Sequence, residues 1–288
     1  MSKLTFTNAK GEYVTFDSTG ESYRLISLDG TGGAEADVQT QKAPFQDGAT
    51  YVDSSMNTRP IAIEFVLRNR DPAALAGMRR LVSRVFNPKL GVGTLRYEFD
   101  GFAKELEAAP ESSPFFPMGS DSRVPGIQRA TVDLLAPSPY WTDPQTQSRP
   151  LTAFVEAFTF PFEFGVMFGS EGDHVTIDNE GDVDAPVLIQ IHGPVTNPRI
   201  ENATTGEFIL VNRAFNADET LEIDTNPRRK RVESVNADGS RTNVFNWLDL
   251  DSTFWRLVPG ENEIKYSAYA GTSEGTVTVS YHNHYVGI

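Results

Sequence analysis

The chain of 288 residues contains no cysteine, which excludes both a disulfide-stapled secreted scaffold and a thiolate metal site. Basic residues are scarce. Twenty-five Lys and Arg stand against 39 Asp and Glu, giving a formal net charge of −14 and a pI near 4.7. That balance excludes a generic binder of nucleic acid or anionic membrane, since both need surplus cations. No apolar run reaches membrane-spanning length, so no membrane insertion is expected. The opening Met1-Ser-Lys-Leu-Thr-Phe-Thr-Asn8 lacks a signal-peptide core, and cytoplasmic synthesis without Sec-type export is expected. Missing too are the Gly-x-Ser-x-Gly elbow and the His-Glu-x-x-His zinc signature.

What is present can build real cores: 39% of residues are hydrophobic and 11% aromatic. The length suits two ordinary domains. The boundary is written in Leu134 to Pro150, where Pro137, Pro139, Pro144 and Pro150 remove backbone donors and forbid a helix or central strand. The expected division is a first domain over 1–137, a proline-rich junction over 138–150, and a second domain over 151–288.

In the first part, Ile61, Ile63, Phe65 and Leu67 share one face of a strand. Asp71 and Pro72 then give an N-cap and a first helical residue, and Leu75, Met78, Val82 and Val85 recur at helical spacing until Asn87-Pro88 ends the helix. Further strands are expected at Glu12–Asp17, Tyr23–Leu28, Thr94–Asp100 and Ile127–Ala136, making a small sheet or barrel with one helix over about 72–87. Between Asp29 and Thr58 the pattern weakens, with Pro44, Phe45 and Tyr51 isolated among polar residues. So long a loop needs a task outside its own domain, and an arm or hairpin reaching a neighbouring subunit would supply one. After Pro150 short strand patterns follow in series, from the aromatic Ala153–Phe164 and His174–Asp178 to Gly275–Tyr285. They are separated by turns such as Asn236-Ala-Asp-Gly239, and read as a β-sandwich of jelly-roll type. The fold class is mainly β.

The candidate sites are sparse. His282 and His284 alternate with Thr278 and Ser280, so a single strand would place both imidazoles on its polar face. No third zinc ligand is marked, and a solvated or inter-subunit face is the preferred reading. The acidic alternation Asp178, Glu180, Asp182, Asp184 lacks EF-hand spacing and reads as a turn. Asp29-Gly-Thr-Gly-Gly33 lacks the lysine and helix of a phosphate loop. Arg228-Arg-Lys-Arg231 reads as a solvated strand start. Trp141, Trp247 and Trp255 are accounted for by core packing, although sugar stacking would use the same residue type. No catalytic residue, cofactor or metal is expected.

Several short pieces resemble, in order, the distal tail protein (Dit) family of long-tailed bacteriophages. They include Tyr23-Arg-Leu-Ile-Ser-Leu-Asp-Gly30, Gln41-Lys-Ala-Pro-Phe-Gln-Asp-Gly-Ala-Thr-Tyr51, Phe86-Asn-Pro-Lys-Leu-Gly91, Ala136-Pro-Ser-Pro-Tyr-Trp141, Gly193-Pro-Val-Thr-Asn-Pro-Arg-Ile-Glu-Asn202 and Leu257-Val-Pro-Gly-Glu-Asn262. The resemblance implies a structural virion protein at the tail tip, with no catalytic residues and a galectin-like second domain. It further implies a homo-hexameric ring closed by the first domain, with a channel that passes DNA without specific binding. The implied partners are the tail tube protein, the tail-tip or tail-associated lysin protein, and receptor-binding proteins. Assembly would take place in the bacterial host's cytoplasm. The alternatives are a carbohydrate-binding sandwich for cell-wall adsorption and, less well supported, a glycan hydrolase.

Overall fold

The computed structural model describes residues 2–119, 123–151, 175–269 and 275–288. Two compact units are present: Met1–Pro144 together with Tyr285–Ile288, and Gln145–His284. The expected strand Ala153–Phe164 and the residue His174 lie outside the described residues.

In the first unit, seven strands close into a barrel. They run in the order Phe102–Pro110, Gly93–Phe99, Ser2–Thr7, Tyr13–Asp17, Tyr23–Asp29, Arg59–Arg68 and Ile127–Ala136, and the last pairs back onto the first through Leu134 opposite Pro110 and Leu135 opposite Ala109. Closure removes two sheet edges that would otherwise invite pairing with other chains. The inward phase of each strand is apolar: Leu4 and Phe6, Val14 and Phe16, Ile61, Ile63, Phe65 and Leu67, then Val132 and Leu134, all buried. Phe16 and Phe65 lie with ring centroids 4.4 Å apart, and Phe6 stacks on Phe86 at 4.6 Å.

The helix Pro72–Val85 begins where expected. The Asp71 carboxylate accepts from the Ala73 and Ala74 amides at 3.0 and 3.3 Å, answering donors that the first turn leaves open. Val82 and Val85 are fully buried, and Leu75, Met78 and Leu81 pack partly against the barrel core.

The proline-rich stretch is less bare than its composition suggests. Trp141 is fully buried in the first unit's core, and Thr142 pairs with Glu105. Gln147–Leu151 forms an edge strand of the second unit, where Pro150 is tolerated.

The second unit is a sandwich of two antiparallel sheets. One runs Gln147–Leu151, Thr276–Tyr281, Ala185–His192, Thr220–Asp224, Arg231–Val235 and Arg241–Asn243, with Arg256–Leu257 also pairing Ala185–His192. The other runs Val175–Asn179, Gly260–Ser267, Arg199–Asn202 and Glu207–Leu210. Ile189, Ile191, Leu221, Ile223, Val277 and Val279 from the first share a buried core with Ile177, Ile200, Ile209, Ile264 and Tyr266 from the second. The resulting fold class, mainly β with a single α-helix among the described residues, is the one read from the sequence.

Candidate assembly surface

The segment that resisted a strand reading leaves the barrel after Asp29 and returns at Arg59. It is a hairpin of Ala36–Gln41 against Thr50–Met56, with a register shift between Gln39 and Thr40. All of Ala36–Gln41 is exposed, as is Thr50–Met56 apart from a half-buried Met56. A two-stranded ribbon with neither face covered is marginal in water, so this geometry calls for a partner. Val38, Tyr51 and Val52 are each more than half exposed.

At its tip Phe45 is fully exposed and held at φ 64°, a left-handed conformation that a bulky side chain rarely adopts. The turn is built to hold it. The Gln46 amide donates to the Ala43 carbonyl at 3.2 Å, and the Ala43 amide donates to Gln46 Oε1 at 2.9 Å. Gln46 Nε2 donates to Thr50 Oγ1 at 3.1 Å. The Tyr51 hydroxyl donates to Ser54 Oγ at 3.0 Å. Of the residues singled out by sequence, Pro44 and Phe45 share the tip and Tyr51 stands on the returning strand.

A buried arginine anchors the arm's root. Arg59 is 1% exposed and gives its guanidinium to backbone carbonyls alone: Nε to Pro139 at 2.6 Å, Nη1 to Gly30 at 2.8 Å and Gly32 at 3.0 Å, and Nη2 to Val286. One side chain thus ties the arm's departure, the proline-rich stretch and the chain's end into the first unit. Burial pushes its pKa below the ordinary arginine value. Gly30 has φ 95°, and a Cβ there would stand 2.4 Å from the Pro60 carbonyl, so the arm can only leave through glycine. From sequence Arg59 reads only as the start of the long strand, although it shares the inward phase of Ile61, Ile63 and Phe65. Close by in the same unit, Lys104 Nζ lies 2.5 Å from Asp143 Oδ1 and 3.5 Å from the centroid of the Tyr285 ring, whose hydroxyl donates to Asp143 at 3.1 Å.

The remaining candidates are separated rather than assembled. The strand carrying Thr278 and Ser280 stops at Tyr281, so the expected continuous strand to Tyr285 is a correction, and His282 and His284 do not share its face. His282 bonds Thr146 at 3.0 Å, while His192 bonds Thr220 at 2.8 Å. His284 is half-buried, and that desolvation, with the nearby Arg228 and His282 charges, holds its pKa down at about 4. Asn179 organises the acidic turn, donating to the Val183 and Leu257 carbonyls and accepting from the Gly181 amide. Asp184 pairs with Arg256 at 3.3 Å. Arg229 and Arg231 join a network with Asp224, Glu222, Glu233 and Arg241. Among the described residues no group of three or more His, Cys, Asp or Glu could hold a metal ion.

Residues 12–136 match the family model for the phage tail protein RIFT-related domain, and residues 180–285 match that for the siphovirus-type tail component, C-terminal domain. The chain belongs to the siphophage distal tail (Dit) family. No curated protein sequence matches it. Among solved structures it resembles the SPP1 Dit protein, a hub of the adsorption apparatus in phages infecting Gram-positive bacteria, with a TM-score of 0.68, 12% identity and 98% and 99% of the two chains covered. It also resembles a chain of the phage P2 baseplate in its activated conformation with Ca, at a TM-score of 0.55, 12% identity and 97% coverage of each chain. At this identity the likeness establishes the fold, and the two matched stretches establish a siphovirus-type tail component.

Proposed function

We propose that this Dit-family chain is the hub at the distal end of the tail. Six copies close into a ring through the first unit, around a channel that DNA crosses. The ring joins the tail tube protein to the tail-tip or tail-associated lysin protein, and the second unit offers surface to receptor-binding proteins. The observation that carries this reading is the arm: a well-built hairpin with both faces open and a fully exposed phenylalanine at its tip, covered by none of the described residues of its own chain. The family match and the likeness to hub and baseplate chains support it. The net charge of −14 suits a wall that DNA must slide past without being held.

No catalytic step belongs to this proposal. The carbohydrate reading has less support, because Trp141 and Trp255 are buried and Trp247 is covered by the Arg213 guanidinium, 3.8 Å from its ring centroid. The test is the solution mass of the purified full chain. A ring of six times 31.8 kDa is expected, and a monomer at high concentration overturns the proposal.

A further inference from the structure

A head-to-tail ring needs two different surfaces on one subunit, one offered and one accepting. The arm is the offered surface. Over 29–58 it carries five carboxylates against one lysine, Lys42, and Asp47 flanks the exposed Phe45. The same unit holds a surface of opposite sign. Over 68–89 six basic residues stand against the single acid Asp71, a strong local reversal in a chain of net charge −14. These cations lie on and around the helix Pro72–Val85. Arg70 and Arg80 are exposed, and neither they nor Arg79 has a carboxylate partner among the described residues. Arg84 is partly compensated by Glu12 at 3.0 Å.

Beside this charge lies a groove of about 370 Å³, lined by Pro72, Leu75, Ala76, Arg79, Val124 and Pro125. Its walls are mixed: Leu75, Ala76, Val124 and Pro125 give an apolar side that suits an aromatic ring, Gln128 adds a polar one, and Arg79, which already faces the Phe116 ring at 4.8 Å, supplies a cation beside an aromatic guest. A second groove, of about 300 Å³ at Tyr97, Phe99, Phe102 and Ile288, is apolar as well. Its one cation, Lys104, is already held by Asp143 at 2.5 Å, so nothing there selects an acidic arm.

We propose that the arm of one subunit docks on the helix face of the next, with Phe45 seated in the groove between Leu75 and Val124 and Asp47 facing Arg79 and Arg80. This rests on the ring reading above and names its contact. The acidic arm repels other acidic surfaces and selects this basic face of the neighbour's barrel unit, so charge fixes the head-to-tail sense while Phe45 fixes the seat.

The absence of native cysteine allows a direct test on the full chain. The double variant Ala43→Cys with Ala76→Cys, which keeps Phe45 and places one thiol at the exposed tip beside it, is expected to give with a short bismaleimide a ladder of covalent oligomers ending at the ring. The matching pair Ala43→Cys with Phe102→Cys is expected to give none. A wild-type ring with no ladder from the first pair, or with a ladder from the second pair instead, overturns the docking and leaves the ring standing. A wild-type monomer overturns both. Independently, Arg80→Glu is expected to weaken assembly by about tenfold or more, and adding Asp47→Arg to restore much of it. Equal weakening with and without Asp47→Arg also overturns the docking.

Discussion

Arg59 donates from Nε to the Pro139 carbonyl at 2.6 Å across 80 positions of sequence, inside a core where the arginine is 1% exposed. No carboxylate among the described residues balances it. Four carbonyls do so, two from the arm's root, one from the proline-rich stretch and one from Val286. Removing the guanidinium leaves these acceptors buried without donors, a heavier loss than the sum of the bonds. Arg59→Met is therefore expected to destabilise the first unit by about 3 kcal/mol or more. Arg59→Lys should recover only a small part, because an ammonium cannot reproduce the fork. Urea-dependent amide hydrogen exchange of the first unit's barrel strands checks this, and a loss within experimental error would show the pin to be dispensable.

The second unit should lose stability in mild acid through His284. Its pKa is about 4 in the folded protein, against an ordinary 6.5, because burial and neighbouring cations disfavour the imidazolium. Between those values the unfolded chain binds more protons than the folded one, so stability falls as pH drops from about 6.5 to about 4. The loss expected from this group is on the order of 2–3 kcal/mol. Glu222 acts in a different window. Burial alone would raise its pKa, but hydrogen bonds from Arg241 and Gln190 and the Arg241 and Arg231 charges bring it below the ordinary carboxylate value, so its contribution fades only below about 4.5. Comparing denaturation midpoints at pH 7 and pH 5 for the wild type and His284→Gln isolates the histidine. Equal pH slopes would remove it as the cause.

Much of this molecule was legible because its strands are half-buried. Alternation alone places Ile61, Ile63 and Phe65 inward, and Asp71-Pro72 starts a helix by local chemistry. Two barrel strands escaped. Ser2–Thr7 alternates Leu4 and Phe6 and was legible but not assigned, whereas Phe102–Pro110 reads Phe-Ala-Lys-Glu-Leu-Glu-Ala-Ala-Pro, a composition that favours helix. Pairing with Gly93–Phe99 on one side and barrel closure on the other overrides that preference, and both are long-range facts. The arm was legible as a segment without a core, yet its acceptor was not. The basic run of 68–89 is partly hidden by helical periodicity, which explains Leu75 and Val82 and leaves the arginines as ordinary solvated residues.

Trp141 offers a prediction that separates packing from hydrogen bonding. It is fully buried, and its Nε1 has no partner among the described residues. Truncation to alanine opens a cavity and is expected to cost about 3–5 kcal/mol. Trp141→Phe loses no hydrogen bond and should cost less than about 2 kcal/mol. Equal losses in the two variants would show that the indole N–H contributes a bond of its own. The same residue bears on truncation. A fragment ending at Pro137 omits Trp141 and should be markedly less stable than one ending at Pro144, as parallel thermal melts would reveal.

The arm's tip allows local stability and assembly to be pulled apart. Phe45 sits at φ 64° with its ring fully in water, so within one subunit its side chain contributes strain and no burial. Glycine adopts that conformation freely, and Phe45→Gly should leave subunit stability unchanged or raise it by up to about 1 kcal/mol. The same substitution removes the only large apolar group at the tip, and ring formation should weaken by about tenfold or more. Deleting Lys42–Asp53 should go further, giving folded subunits that do not close rings. Circular dichroism melts report the first quantity and light-scattering mass the second. If Phe45→Gly lowers the melting temperature at a concentration where it and the wild type are both monomeric, the tip packs within its own subunit. If the deletion still assembles normally, the arm is not the offered surface of the ring.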